Sequence, residues 1–364
     1  MRGSLPVGHV INRYRIESVL SEAGNFAVVY LASDIDLART QKRADAVAGR
    51  LQRWRQPERF GPSAANATIA WGPLVAIKEY APDGKVTRRG TAVVPESKHH
   101  DVFNWGRDRF VQESVFMAQL SHPNIVALFD HFQVNNTAYY VMERLPGGSL
   151  ADLFRQQGRQ SEDQVRQWLA PLLRSIAHVE HSGGNHLDIA PGNVMFRRST
   201  AEPVLVDFGA ARIPGAPQPP GGSRLVVNDC YAPPEKYAMT SRDLNARVDV
   251  YSVAAVVQEA LTGAPPQVLS IVGPEQDSFD PAIARLVSPE LARAIRRSLS
   301  RNPTHRFANA HEFLAAIDPG NPIIYSGGAT SAGARTDTGQ PVLILLAVAA
   351  ALLVVILMLI MAVI

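Results

Sequence analysis

The chain has 364 residues, with 36 Lys and Arg against 33 Asp and Glu, a formal net charge of +3 and a single cysteine, Cys230. Its 46% hydrophobic and 19% charged content suits one large or two modest folded domains, and nothing in that balance marks a dedicated nucleic-acid binder. The lone thiol excludes an intrachain disulfide, and no Cys/His spacing offers a zinc site.

Residues 1–10 lack the apolar core of a signal peptide. Tyr14 to Leu20 and Ala27 to Ala32 read as strands flanking a turn. Residues 36–72 then form an insertion, in which Ala44, Val47, Ala48, Leu51 and Trp54 share one helical face opposite Arg39, Lys42, Arg43, Arg50 and Arg53. Surface packing is the expected use of that helix, with docking to a partner or a membrane as the alternative. Val75-Ala76-Ile77-Lys78 is a short apolar strand ending in an ammonium. Around Glu113, from Phe110 to Leu120, apolar residues recur at helical spacing, while residues 85–109 read as an extended approach to that helix.

Ser161 and Gln164 make a capping box for a helix with Val165, Trp168, Leu169, Leu172, Ile176 and Val179 on one face; Gly183 and Gly184 stop it. Val204-Leu205-Val206 is another short strand, and Val250 to Leu261 an apolar helix. Arg293, Arg296, Arg297 and Arg301 are expected on a solvated helix face, with anionic lipid headgroups as the alternative partner. Residues 319–340, rich in Gly, Ser, Thr and Pro, cannot bury enough apolar surface to order themselves and read as a flexible linker. Residues 341–364 carry no charge. At ~1.5 Å per residue they form a helix long enough to cross a ~30 Å hydrocarbon core. A single C-terminal membrane span is therefore expected.

The chemistry lies between these elements. His186-Leu187-Asp188-Ile189-Ala190-Pro191-Gly192-Asn193 is followed by Asp207-Phe208-Gly209. Moving a phosphoryl group needs metal ions to neutralise its oxygens and a carboxylate aimed at the attacking hydroxyl. Asn193 and Asp207 suit the metals, and Asp188 the hydroxyl. A strand Lys paired with a helix Glu, as Lys78 and Glu113 would be, fixes the ammonium over the α- and β-phosphates.

With these partners in order the chain resembles the protein kinases, and most of all the bacterial serine/threonine kinases of eukaryotic-like type. The resemblance runs over residues 10–318 and extends to Val75–Tyr80, His122–Val126, Thr137–Glu143, Gly147–Leu150, Pro203–Arg212 and Tyr231–Tyr237. It implies an α+β bilobal fold: a small β-rich lobe over residues 10–142, interrupted by 36–72, and a larger helical lobe over 146–318. It implies ATP with Mg²⁺ or Mn²⁺, and protein substrates phosphorylated on Ser or Thr. Asp188, Lys78, Glu113, Asn193 and Asp207 take the catalytic roles. Gly24, Ala27, Val28, Ala76, Met142, Glu143 and Leu145 join Lys78, Asn193 and Asp207 around the nucleotide. Asp249 is expected to support the catalytic-loop backbone, and Arg306 to pair with Glu235. With the span at 341–364, the resemblance describes a single-pass membrane kinase with its catalytic domain in the cytoplasm and self-association at the membrane.

Three departures bear on activity. The glycine-rich loop, Glu22 to Tyr30, keeps only Gly24 of three expected glycines. Leu187 replaces the Arg that grips a phosphorylated activation loop, and Ser223 is the one phosphorylatable hydroxyl between residues 210 and 230. Ala190 replaces the Lys that reaches the γ-phosphate; Arg212 or Lys236 are the candidate substitutes. The departures keep a second reading open, a nucleotide-binding pseudokinase acting as a membrane-anchored scaffold. A small-molecule kinase is disfavoured by Tyr231-Ala232-Pro233-Pro234-Glu235.

Overall fold

The computed structural model describes residues 3–22, 26–36, 73–197, 202–213, 230–238, 244–266 and 278–320. Gly24, most of the insertion, Ser223, residues 321–340 and the apolar run 341–364 lie outside the described residues. Among the described residues no helix is long and apolar enough to cross a membrane.

The small lobe is built on an antiparallel sheet of β1 (Val10–Ile11), β2 (Tyr14–Ser21), β3 (Ala27–Asp34), β4 (Leu74–Tyr80), β7 (Leu128–Val134) and β8 (Thr137–Glu143) in the order β1-β2-β3-β4-β8-β7. Helix α1 (His100–Gln119) packs on one face, with Phe110 stacked 4.7 Å from Tyr140 and Phe103 at 5.4 Å from Tyr80. The helix starts well before Phe110, because Phe103 as well as Phe110 turns inward.

The opposite face is also covered. A hairpin of β5 (Val86–Arg89) and β6 (Ala92–Pro95) occupies much of the stretch read as an extended approach. From it Arg88 reaches the buried Glu79 at 2.6 Å, and Tyr30 and Tyr139 donate to the same carboxylate at 2.7 and 2.6 Å. Three donors satisfy a charge that burial would otherwise make costly.

The helical lobe contains α2 (Leu150–Gln157), α3 (Glu162–His181), α4 (Glu235–Ala238), α5 (Ala246–Thr262), α6 (Pro289–Ser298) and α7 (Ala310–Ile317), with a two-stranded sheet of β9 (Val194–Phe196) and β10 (Pro203–Leu205) facing the small lobe. The Ser161–Gln164 capping box opens α3 as its sequence requires, and the six apolar residues of its predicted face are all buried. Helix α5 is longer than its apolar run: Asn245 caps it, and Gly263 closes it at φ 77°, where a side chain would be strained. Arg293, Arg296 and Arg297 are exposed on α6 as expected, and two of them also lie over aromatic rings. Arg296 lies 4.9 Å over the Phe279 ring and Arg297 lies 4.1 Å over Phe307.

The lobes meet at the end of β8. Glu143 is buried and accepts from both Arg197 Nε at 3.0 Å and Nη2 at 2.9 Å, and from the Ala127 N–H at 2.9 Å. Gly147 then runs so close to β9 that a Cβ would meet the Phe196 carbonyl at 2.6 Å.

His122, 3% exposed, sits beside His178 beneath this junction and accepts the Asn124 N–H on Nδ1 at 3.1 Å. Burial, with His178 next, pushes its imidazole down to about 3. The folded state therefore stays neutral while the unfolded chain takes up a proton below its ordinary ~6.5, so this group's stabilisation is full above ~6.5 and lost as pH falls toward ~3, at up to about 1.4 kcal/mol per pH unit. His122→Asn keeps an acceptor for Asn124. Melting temperatures measured from pH 7 to pH 5 should fall more steeply for wild type than for this variant; parallel curves would refute the assignment.

Candidate active site

Strand pairing places the small-lobe half of the site. Val29 pairs with Lys78 and Lys78 with Tyr140, so these three share a face, while Ala76 pairs with Met142 two residues away on that same face. Ala27, paired with Tyr80, is on it too. Val28 is not. It pairs with Glu79 on the opposite face and is 0% exposed in the core. Val28, expected at the nucleotide, therefore turns away from the face that carries Lys78, and Val29 stands on that face instead. What decides between the two valines is the register of β3 on β4, which neither segment carries by itself.

Lys78 Nζ lies 2.7 Å from Asp207 Oδ1 and 3.7 Å from Glu113 Oε1. Glu113 in turn accepts from Tyr140 Oη at 2.9 Å. Burial opposes the Lys78 charge, but Asp207, Tyr140 and Glu113 together hold the ammonium well above its ordinary value. Burial likewise opposes the charge on Asp207, and Lys78 overrides it, keeping that carboxyl below the usual range. Glu113 is pushed up by burial, with Lys78 pulling the other way. The Asp207 side chain remains 46% exposed toward the cleft. One ammonium therefore holds two carboxylates from different elements.

The helical half begins at Asp249 on α5. It is wholly buried and accepts the N–H of His186 at 2.8 Å and of Leu187 at 2.7 Å. These bonds fix Leu187 at φ 62°, an uncommon conformation for a branched residue. The Leu187 side chain packs into a small cluster with Leu244 and Val248. An apolar plug stands where the resemblance expects a phosphate-gripping guanidinium.

His186 Nδ1 lies 3.3 Å from the Asp188 N–H and its Nε2 lies 3.0 Å from the Val206 carbonyl, an arrangement satisfied by the Nε2–H tautomer. It links the catalytic loop to the segment carrying Asp207, which itself stands at φ 61°. Phe208 is buried between His186 at 4.8 Å and Phe116 of α1 at 6.5 Å. The aromatic contact thereby ties the Glu113 helix to the same segment.

Asn193 donates from Nδ2 to the Asp188 carbonyl at 2.8 Å and to Asp188 Oδ2 at 3.0 Å. With both contacts on its amide nitrogen, Asn193 keeps its amide oxygen for a cation, and Asp207 offers a cleft-facing carboxylate. Two hard oxygen donors fit magnesium or manganese, which keep several waters and bind through few protein ligands. Met142, Glu143 and Leu145 lie along the connector; the Glu143 side chain turns away into its ion pair, leaving only its backbone for a ligand.

Ala190 is buried and ends in a methyl group. Of the two candidate substitutes, Arg212 is exposed and its backbone pairs with Asn185. Lys236 Nζ lies 3.6 Å from Asp188 Oδ1. Sequence order alone gave no reason to prefer it. Arg306 meets its expected partner Glu235 through Nη1 at 2.6 Å and Nη2 at 3.0 Å. Beside Asp188 an open cavity of about 760 Å³ is lined by Phe154, Asp188, Ala190, Asn193, Tyr231 and Glu259.

Removing the Asp249 carboxylate strands two buried N–H groups, each costing ~1–3 kcal/mol. Asp249→Ala should thus lower unfolding free energy in urea by at least ~2 kcal/mol, and an unchanged midpoint would contradict this account of the loop.

Residues 86–316 match the family described as protein kinase domain. The serine/threonine-protein kinase PknA of Nostoc sp. is 30% identical over 233 residues, which is 62% of this chain and 41% of that protein. PknB of Mycobacterium leprae is 30% identical over 221 residues, 57% and 35% of the two chains. PknL of Mycobacterium tuberculosis is 31% identical over 211 residues, 56% and 52%. The chain thus spans about half or less of the length of these relatives. A solved structure described as the PpkA-294 apo form aligns with a TM-score of 0.67 at 27% identity, covering 86% of this chain and 99% of that one. The family match takes in the catalytic loop, Asp207 and Lys236, and the bilobal architecture completes it on the Lys78 side: the chain belongs to the protein kinase family.

Proposed function

We propose that the protein transfers the γ-phosphoryl group of ATP to Ser and Thr hydroxyls of protein substrates. The observation that carries this reading is the convergence of Lys78, Glu113 and Asp207 with Asp188 and Asn193 across one cleft. The names of the relatives support Ser/Thr over Tyr.

Each residue has work suited to its place. Lys78, held by Glu113 and Asp207, binds the phosphates of the nucleotide from the small-lobe side. Asn193 and Asp207 would hold a divalent cation, which when bound with ATP neutralises the phosphate oxygens. Asp188, fixed through Oδ2 by Asn193, orients the acceptor hydroxyl and takes its proton. The cavity beside Asp188 leaves room for an acceptor peptide. Residues 341–364 anchor the kinase in a membrane, a proposal supported by their uncharged length and by the linker composition before them.

Full-length protein in detergent, incubated with γ-labelled ATP, a generic protein substrate and Mg²⁺ or Mn²⁺, should yield phosphoserine or phosphothreonine. Asp188→Asn should reduce transfer at least ~10²-fold while nucleotide binding persists. Wild type that binds nucleotide and transfers nothing with either metal would overturn the reading in favour of a scaffold. The Leu187 plug also predicts that control does not pass through a loop phosphate. Ser223→Ala should keep wild-type activity, and a loss recovered by Ser223→Asp would refute that.

A further inference from the structure

We infer that Lys236 is the positioning cation of the transfer site, replacing from helix α4 the charge that Ala190 cannot supply; this inference rests on the kinase reading above. The argument starts from rigidity. Glu235, next in the chain, is clamped by the Nη1 and Nη2 nitrogens of Arg306, which is itself buried, lies 4.9 Å over the Tyr251 ring and donates further to the Arg247 carbonyl. The Lys236 N–H is bonded to the Pro233 carbonyl at 3.0 Å. The backbone under Lys236 is therefore held on both sides, and its side chain is aimed rather than free.

Where it is aimed is the second observation. The Lys236 side chain is 2% exposed, and its ammonium lies 3.6 Å from Asp188 Oδ1, the oxygen opposite the one that Asn193 holds. A buried ammonium is costly unless paired. Burial pulls Lys236 below its ordinary value, while Asp188, with Asp249 behind it, pulls the other way. A lysine that served packing alone would have no need of the reacting carboxylate as its ion-pair partner. Ala190, two residues beyond Asp188 and buried, leaves this part of the loop without a cation of its own.

The reaction gives that charge a use. The acceptor oxygen forms a bond to the γ-phosphorus as the bond from that phosphorus to the bridging oxygen breaks. ADP departs with the electron pair, and the hydroxyl proton passes to Asp188. Before transfer, two anionic groups, Asp188 and the γ-phosphoryl, must sit near one hydroxyl. Lys236 offsets that repulsion and sets the angle of the carboxylate. A fixed charge of this kind lowers the barrier without reorganising. The charge thus comes from a different segment of the chain than the one that carries Ala190.

The test moves the charge. In full-length protein, Lys236→Gln should lower kcat by about 10²-fold and leave the KM for ATP within about threefold. Ala190→Lys alone should not raise kcat, because the role is already filled. Combining Ala190→Lys with Lys236→Gln should recover at least about tenfold of the loss. Lys236→Arg, which keeps the charge, should retain kcat within about tenfold and guards against a Gln variant that fails to fold. Wild-type kcat in Lys236→Gln would sink the inference, as would a loss that neither relocation nor arginine restores while melting temperatures match wild type. Wild type that transfers nothing would instead remove the kinase reading beneath it.

Discussion

Asp249 is the point from which the site is assembled. One buried carboxylate takes two adjacent backbone N–H groups and thereby holds the catalytic loop in a conformation that a branched residue would not choose. His186, set by that loop, bonds the strand end before Asp207. Asp207 binds Lys78, and Lys78 reaches Glu113. A buried charge in the helical lobe is thus connected through four residues to a helix of the small lobe. Strain of this kind persists only where the surroundings over-determine it.

Much of this arrangement was legible in the chain because motif chemistry and local periodicity agree. Ser161 and Gln164 announced α3, and Glu235 with Arg306 announced a pair far apart in sequence. What was not legible has physical reasons. The start of α1 hides in a polar stretch whose apolar contributions, Phe103 and Phe110, are widely spaced. The hairpin of β5 and β6 is short and half exposed, so its alternation is weak. Val28 and Val29 differ only in parity, and parity belongs to the strand register rather than to composition. Lys236 looks like any lysine until Arg306 fixes the helix that carries it.

The two apolar substitutions in the catalytic loop have different structural answers. Leu187 joins Leu244 and Val248, so the position is filled by packing and the charge is simply gone. Ala190 is filled by nothing larger than a methyl, and a cation from another segment stands 3.6 Å from the neighbouring Asp188 carboxylate. Loss at one site and relocation at the other are distinguishable only in three dimensions. Motif counting scores them alike.

The connector has its own consequence. Glu143 is the last residue of β8, and its side chain is locked into Arg197 of the opposite lobe and into the Ala127 backbone. Bending there would uncouple a doubly bonded buried pair. Gly147 and Gly148 beyond it are held as well, the first donating to the Phe196 carbonyl at 3.0 Å and the second accepting the Phe196 N–H at 2.9 Å, so the peptide edge between is tied at both ends. Backbone held by such bonds in advance gives up little entropy when it meets a ligand. A purine meeting that edge would put its interactions into contact rather than into ordering the backbone.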